Sequence, residues 1–98
     1  MFEVRETTVF RRWLDELSDA NARLRVNVRI RRLAAGNAGD AKSVGGGISE
    51  LRIDYGPGYR VYFARRGRVV ILLLTGGDKR SQWKDISAAK KLAEGITE

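Results

Sequence analysis

Two segments that alternate apolar and polar residues flank the turn sequence Gly56-Pro57-Gly58. The apolar residues are, in chain order, Leu51, Ile53 and Tyr55 before the turn and Tyr59, Val61 and Phe63 after it. Alternation with a period of two is typical of a half-buried strand, and Gly-Pro-Gly is turn chemistry. The pattern predicts a β-hairpin, so the fold must contain an antiparallel strand pair.

The register of this hairpin follows from the length of its loop. A three-residue loop pairs Tyr55 with Tyr59, Ile53 with Val61 and Leu51 with Phe63. A two-residue loop would scatter the apolar side chains over both faces, so the three-residue loop is predicted. The residues that then share the opposite face are Arg52, Asp54, Arg60 and Tyr62. We expect that face to be polar and open to solvent.

Elements on either side of the hairpin are predicted from the same kind of periodicity. Phe2 and Val4 indicate a short first strand, and residues 69–74 form a continuous apolar run typical of a strand buried on both faces. Phe10, Trp13, Leu14 and Leu17 lie on one stripe of an amphipathic helix that Thr7 or Thr8 can cap. Trp83, Ile86, Ala89 and Ala93 lie on one stripe of a last helix that Ser81 can cap.

Two regions are less clear from periodicity. Residues 19–35 show both strand-like and helix-like spacing of apolar residues, and the capping residues favour a helix. These are Ser18 or Asp19 at its start, Arg31 and Arg32 in its last turn, and Gly36 after its end. Residues 36–47 are rich in Gly, Asn and Asp, and we expect one long loop there, with Gly45–Gly47 as a flexible connection.

Missing residue types restrict the chemistry of the chain. Its sequence contains no Cys and no His, which excludes disulfides, thiolate nucleophiles and Ser/His/Asp catalysis. No metal site or cofactor is expected. The apolar run 69–74 is far shorter than the about 20 residues of a membrane span, and no signal-peptide pattern follows Met1. We therefore expect neither an integral membrane protein nor an exported one.

The formal net charge of +7 is concentrated in one segment. Residues 60–91 contain nine Lys or Arg but only two acidic residues, whereas the rest of the chain is balanced. Localised positive charge attracts phosphate polymers or an acidic protein surface. Charge alone leaves RNA, DNA, anionic lipid and an acidic protein as alternatives.

Together with the order of elements, four sequence segments resemble the RelE/ParE toxin superfamily, and most closely its HigB-like addiction-module killer proteins. The segments are Gly39–Val44, Glu50–Arg52, Gly56–Phe63 and Gly76–Gln82, within a resemblance that covers nearly the whole chain. It implies a single α+β domain over residues 1–98, with a curved antiparallel sheet packed against an N-terminal helical hairpin and with a C-terminal helix. It also favours a helix over 19–35.

The same resemblance implies a cytoplasmic bacterial toxin of a type II toxin–antitoxin system. HigB-like and RelE-like members cleave mRNA on the ribosome, whereas ParE-like members inhibit DNA gyrase. A ribosome-dependent mRNA endonuclease is the first expectation, gyrase inhibition the second, and a non-catalytic nucleic-acid-binding module the third. The expected partners are the ribosome, mRNA and a cognate antitoxin of helix-turn-helix type, through which alone the toxin would meet operator DNA.

Site residues follow from the resemblance and from the chemistry of RNA cleavage. Attack by the 2′-hydroxyl requires a base, positive charge on the phosphorane and a proton for the 5′-oxygen. The candidate catalytic residues are Arg60, Lys79, Arg80, Arg52 and Tyr62, with Arg60 stabilising the phosphorane, Lys79 as the base, and Tyr62 or an Arg assisting the leaving group. The candidate RNA- and ribosome-binding residues are Lys42, Arg65, Arg66, Arg68 and Lys84.

Aromatic side chains offer a further choice between structure and function. Phe10, Trp13 and Trp83 lie at helical spacing and are expected to anchor the core. The alternative is that they form platforms on which nucleic-acid bases stack.

Overall fold

A five-stranded mixed sheet is the central element of the computed structural model, which describes residues 1–96. The elements are β1 (Glu3–Glu6), α1 (Thr8–Glu16), α2 (Ala20–Ala34), β2 (Ala41–Gly45), β3 (Ile48–Ile53), β4 (Tyr59–Arg66), β5 (Val70–Asp78), a 3-10 turn (Lys79–Ser81) and α3 (Gln82–Glu94). The strand order is β1-β5-β4-β3-β2, and the β1–β5 pair is parallel. The predicted α+β class is confirmed, but the expectation of a purely antiparallel sheet is wrong.

Helices cover both faces of the sheet. On one face, α1 and α2 bury Phe10, Leu14, Val26 and Leu33 against apolar residues of β3, β4 and β5. On the other face, α3 packs Ala89 and its neighbours against a second apolar cluster. That cluster contains Ile48, Tyr62, Ala64, Leu72 and Leu74. The expectation of an open polar face is therefore wrong, because β4 and β5 add apolar side chains there that α3 removes from water.

Helices α1 and α2 begin at predicted capping residues, and α2 ends just before the predicted Gly36. The Thr7 hydroxyl accepts a hydrogen bond from the backbone N–H of Phe10 at 3.0 Å. The Asp19 carboxylate accepts from two backbone N–H groups in the first turn of α2. Gly36 follows α2 with φ of +96°, a conformation that glycine adopts without strain. The helix predicted over 19–35 is confirmed.

The β3–β4 hairpin forms with a register different from the predicted one. Ile53 pairs with Tyr59 and Arg52 with Arg60, so the connection runs from residue 54 to residue 58. Tyr55 leaves the strand because its hydroxyl donates to Asp19 Oδ2 at 2.8 Å, and its carbonyl accepts from Gly58 N–H at 3.1 Å. The shift is by two residues, so every strand residue keeps its predicted face. The predicted pairing of Arg60 with Asp54 is wrong.

The predicted long loop over 36–47 contains strand β2, so that expectation is also wrong. Lys42 pairs with Glu50 and Ser43 with Ser49, and Gly46 and Gly47 form the tight turn between the strands. Both glycines have positive φ, of +63° and +77°, as a two-residue hairpin turn requires. These glycines are a defined turn, where a flexible connection was expected.

Within α3, the buried stripe differs from the predicted one. Ile86, Ala89 and Ala93 face the sheet as expected, but Trp83 is 89% exposed. Four residues before Ile86 and Ala89 lie Gln82 and Asp85, which continue the buried stripe, so Trp83 lies at its side. The prediction of Trp83 as a core anchor is wrong, whereas Phe10 is fully buried and Trp13 packs against the core.

No helix within residues 1–96 has the length and apolarity needed to cross a bilayer.

Candidate functional site

A buried carboxylate lies on the α3 face of the sheet. Glu50 in β3 is 1% exposed, and polar side chains from three elements surround it. Arg52 Nε donates to its Oε1 at 3.0 Å, and Tyr62 Oη and Gln82 Nε2 donate to its Oε2 at 3.0 and 2.9 Å. Arg60 Nε lies 3.7 Å from Oε1. We call these five residues the Glu50 cluster.

The hairpin register and the docking of α3 assemble this cluster. Glu50 is the cross-strand partner of Tyr62, and Arg52 is the partner of Arg60. Residues two apart on a strand share a face, so the four side chains converge. Gln82 arrives from the first turn of α3, which links that helix to the centre of the sheet. Of the four residues predicted to share this face, Arg52, Arg60 and Tyr62 lie together as expected. Asp54 does not, because it follows the end of β3 and lies beside α2.

Electrostatics favour the ionised carboxylate. Burial by itself would raise the pKa of Glu50, but hydrogen bonds from Gln82, Arg52 and Tyr62, with the charge of Arg60, lower its pKa below the usual range. Burial, followed by the hydrogen bond to Glu50, raises the pKa of Tyr62 far above its ordinary value. Glu50 is therefore an anion that fixes two guanidinium groups, and Tyr62 is its neutral donor.

Arg60 retains unused hydrogen-bonding capacity. Its side chain is only 12% exposed, and its Nε–H is buried without an acceptor. Nη1 donates to the Tyr59 carbonyl at 3.3 Å. A methyl group placed at Gly58 would lie 3.3 Å from Arg60 Nη1 and 3.5 Å from Lys79 Cβ. The Arg60 guanidinium and the Lys79 side chain thus border the bare backbone of Gly58, so an anion bound over this glycine would meet Arg60 Nη1.

A second half-buried carboxyl lies where α3 begins. Asp85 accepts a hydrogen bond from Ser81 Oγ and packs against Gly77, the cross-strand partner of Arg60. A Cβ atom at Gly77 would lie 1.8 Å from Asp85 Oδ2, so only glycine fits. Burial raises the pKa of Asp85 above its ordinary value, and the hydrogen bond from Ser81 offsets only part of this increase.

The other predicted site residues lie on several surfaces. Lys79 is exposed and close to Arg60, whereas the Arg80 guanidinium is 83% exposed and pairs with Asp78 at 3.4 Å. Lys42 and Lys84 are exposed on β2 and α3.

The three arginines at the end of β4 and in the following turn do not form one surface. Arg65 lies over the Phe2 ring at 5.1 Å, on the side of the sheet that α1 and α2 cover. Arg66 instead donates to the Ala93 carbonyl at 2.8 Å and fixes the end of α3. Arg68 is exposed in the β4–β5 turn.

Glu50, Gln82 and Asp85 were missed from the sequence. Glu50 had a usable signal, since the alternation that places Arg52 on one face also places Glu50 there. Gln82 and Asp85 had none, because their position depends on the rotation of α3 about its axis. Within residues 1–96, no group of three His, Cys, Asp or Glu residues is arranged to hold a metal ion.

The geometry defines an α+β protein in which a buried carboxylate orients two arginines beside an exposed lysine. No protein-family model matches the chain. A protein of Haemophilus influenzae (strain ATCC 51907 / DSM 11121 / KW20 / Rd), described only as "Uncharacterized protein", is 50% identical over 94 residues, which is 96% of this chain and 95% of that protein. The chain belongs to the same family as this protein. The relationship assigns no activity.

Proposed function

We propose that the protein is the toxin of a type II toxin–antitoxin pair and cleaves mRNA on the ribosome. The observation that carries the proposal is the position of Arg60, whose Nε lies 3.7 Å from the Glu50 carboxylate while its Nη1 lies beside the backbone of Gly58. Lys79, whose Cβ would lie 3.5 Å from a methyl group placed at Gly58, is a second positive residue beside this glycine. Fixed donors of this kind stabilise the charge that develops on a phosphorane. The resemblance to HigB-like toxins supports the same reaction.

In the proposed reaction, the 2′-hydroxyl of the RNA loses its proton to solvent and its oxygen bonds to phosphorus, while Lys79, which is exposed where partial burial was needed for a base, acts as a positive group. The bond to the 5′-oxygen breaks, and that oxygen takes a proton from solvent. The products are a 2′,3′-cyclic phosphate and a 5′-hydroxyl. Arg60 binds the phosphorane oxygens, and the part-exposed Arg52 faces the leaving oxygen. Tyr62 supports Glu50, because its hydroxyl is buried and committed to that carboxylate. Alignment of the mRNA by the ribosome contributes the remaining rate acceleration, because it holds the 2′-oxygen in position for attack.

Primer extension on cellular mRNA after induced expression tests this function. We expect cuts within translated frames that appear with the wild-type chain and are about 100-fold weaker with Arg60→Ala, the scale for one preorganised donor. A plasmid supercoiling assay on the same cells monitors gyrase. Intact transcripts together with halted supercoiling would overturn the proposal.

Gyrase inhibition is the second candidate, and the burial of Tyr62 favours it. Because Tyr62 is fully buried, the Glu50 cluster presents no exposed hydroxyl to a leaving group. An inhibitor needs only a binding surface and no proton transfer. The two candidates separate in the paired assay just described.

A further inference from the structure

Trp83 is the most exposed large apolar side chain after Met1, with 89% of its surface in solvent. It borders a groove of about 580 Å³ between α3 and β2. Val44 and Ile86 contribute half-buried apolar surface to this groove. The indole and these neighbours form a contiguous apolar patch, and such patches mark interaction sites.

Positive side chains stand at both ends of this groove. Lys79 lies at the end near Arg60. The Lys90 side chain runs along Gly45 and Gly46, with Nζ 3.6 Å from a methyl group placed at Gly45. Gln82 lines the groove and also donates to Glu50, so the groove adjoins the Glu50 cluster. No acidic side chain lines it among the described residues.

We propose that the Trp83 groove binds single-stranded RNA, with one unpaired base stacked on the indole and the flanking phosphates held by Lys79 and Lys90. Every base has a flat face, so such stacking tolerates any sequence. Charge complementarity selects a polyanion, and the flat aromatic surface selects unstacked bases over a duplex. The inference rests on the proposed function, because it gives the RNA a path toward Arg60.

Fluorescence anisotropy with a labelled oligouridine, in the absence of ribosomes, tests the groove directly. Trp83→Ala should weaken binding about 10-fold, whereas Trp83→Phe should stay within about 3-fold of the wild type because a ring remains for stacking. Leu24→Ala is the matched control, since Leu24 is 58% exposed on the opposite helical layer and should leave binding unchanged. A duplex RNA of the same length should bind with an affinity that Trp83→Ala does not alter.

Salt dependence tests the phosphate contacts. Lys90→Gln should reduce the slope of log Kd against log salt by about 0.7, the value for one phosphate contact on a single strand. Lys91→Gln, at the next exposed position of the same helix, should not change it. Equal slopes for the two variants would overturn the placement of a phosphate beside Lys90.

Cleavage assays on translating ribosomes separate this inference from the proposed function. Oligouridine affinity that is unchanged in Trp83→Ala overturns the RNA groove and leaves the indole as a contact for a protein, even if mRNA is cleaved normally. Trp83-dependent binding by a chain that cuts no mRNA supports the groove and overturns the endonuclease.

Discussion

Arg60 differs from an ordinary exposed strand residue because it is largely buried beside a buried carboxylate. Arg60→Ala should therefore affect both stability and activity. We expect the free energy of unfolding to fall by about 1–3 kcal/mol, the cost of leaving a buried polar group unsatisfied, and cleavage to fall about 100-fold. Arg60→Lys keeps the charge but loses the planar fork, so it should rescue cleavage poorly.

Both quantities are measured on the same preparations, with urea unfolding beside cleavage assays well below the thermal midpoint. Arg12→Ala, an exposed arginine on α1, should leave both unchanged. Full cleavage by Arg60→Ala, or a loss explained entirely by unfolding, would remove Arg60 from the site.

Glu50 links the stability of the protein to pH. Its pKa is lower in the folded state, so the carboxylate contributes stability above its ordinary value of 4.5, and this contribution is lost as the pH falls through the folded pKa. Glu50→Gln should therefore destabilise the protein at pH 7, because two guanidinium groups lose their counter-charge, and the difference should shrink on acidification.

Urea unfolding of the wild type and Glu50→Gln between pH 7 and pH 3 measures this difference. The exposed Glu16→Gln variant serves as a control with little effect at pH 7. A difference that stays constant over the whole range would show that Glu50 is not held as an anion.

Among the strands, the period-two pattern predicted which face of the sheet each side chain occupies. It did not predict which residues pair across β3 and β4. The register error of two residues left Arg52, Arg60 and Tyr62 together, because displacement by an even number preserves the face. Strand β2 was not predicted, because Ala41–Gly45 contains a single β-branched residue and forms a strand through its pairing with β3. The rotation of α3 was also undetermined, since stripes beginning at Gln82 or at Trp83 both fit a helix of this length.

The β2–β3 hairpin gives a test of this correction. Gly47 has φ of +77°, and no atom lies within 4 Å of the position that an alanine methyl group would occupy, so Gly47→Ala adds backbone strain alone. We expect the free energy of unfolding to fall by about 1 kcal/mol, the usual cost of this conformation for a residue with a Cβ. Gly95→Ala, at φ of −80° and with ordinary contacts, should be neutral or slightly stabilising. Equal effects in urea unfolding would contradict a tight Gly46–Gly47 turn.

At the scale of the whole molecule, the positive charge of residues 60–91 is divided between surfaces. Arg65 stacks on Phe2 and Arg66 fixes the end of α3, so part of the excess is committed to the fold. Lys79, Lys84 and Lys90 remain exposed on the 3-10 turn and α3. Binding of a polyanionic partner, whether RNA or an acidic antitoxin segment, should therefore depend more on this side of the molecule than on the net charge of the protein.

Two triple variants with the same net charge separate position from total charge. Replacing Lys79, Lys84 and Lys90 by Glu should abolish growth arrest, because repulsion replaces attraction at the surface beside Arg60. Replacing Arg12, Arg31 and Arg32 by Glu changes the net charge by the same amount. Because these three residues lie on α1 and α2, growth arrest should persist. Growth curves after induction, at matched protein levels and with thermal midpoints measured for both, give the comparison. If both variants lose toxicity equally while folded, the long-range field of the whole protein governs binding, and the α3 side has no special part in it.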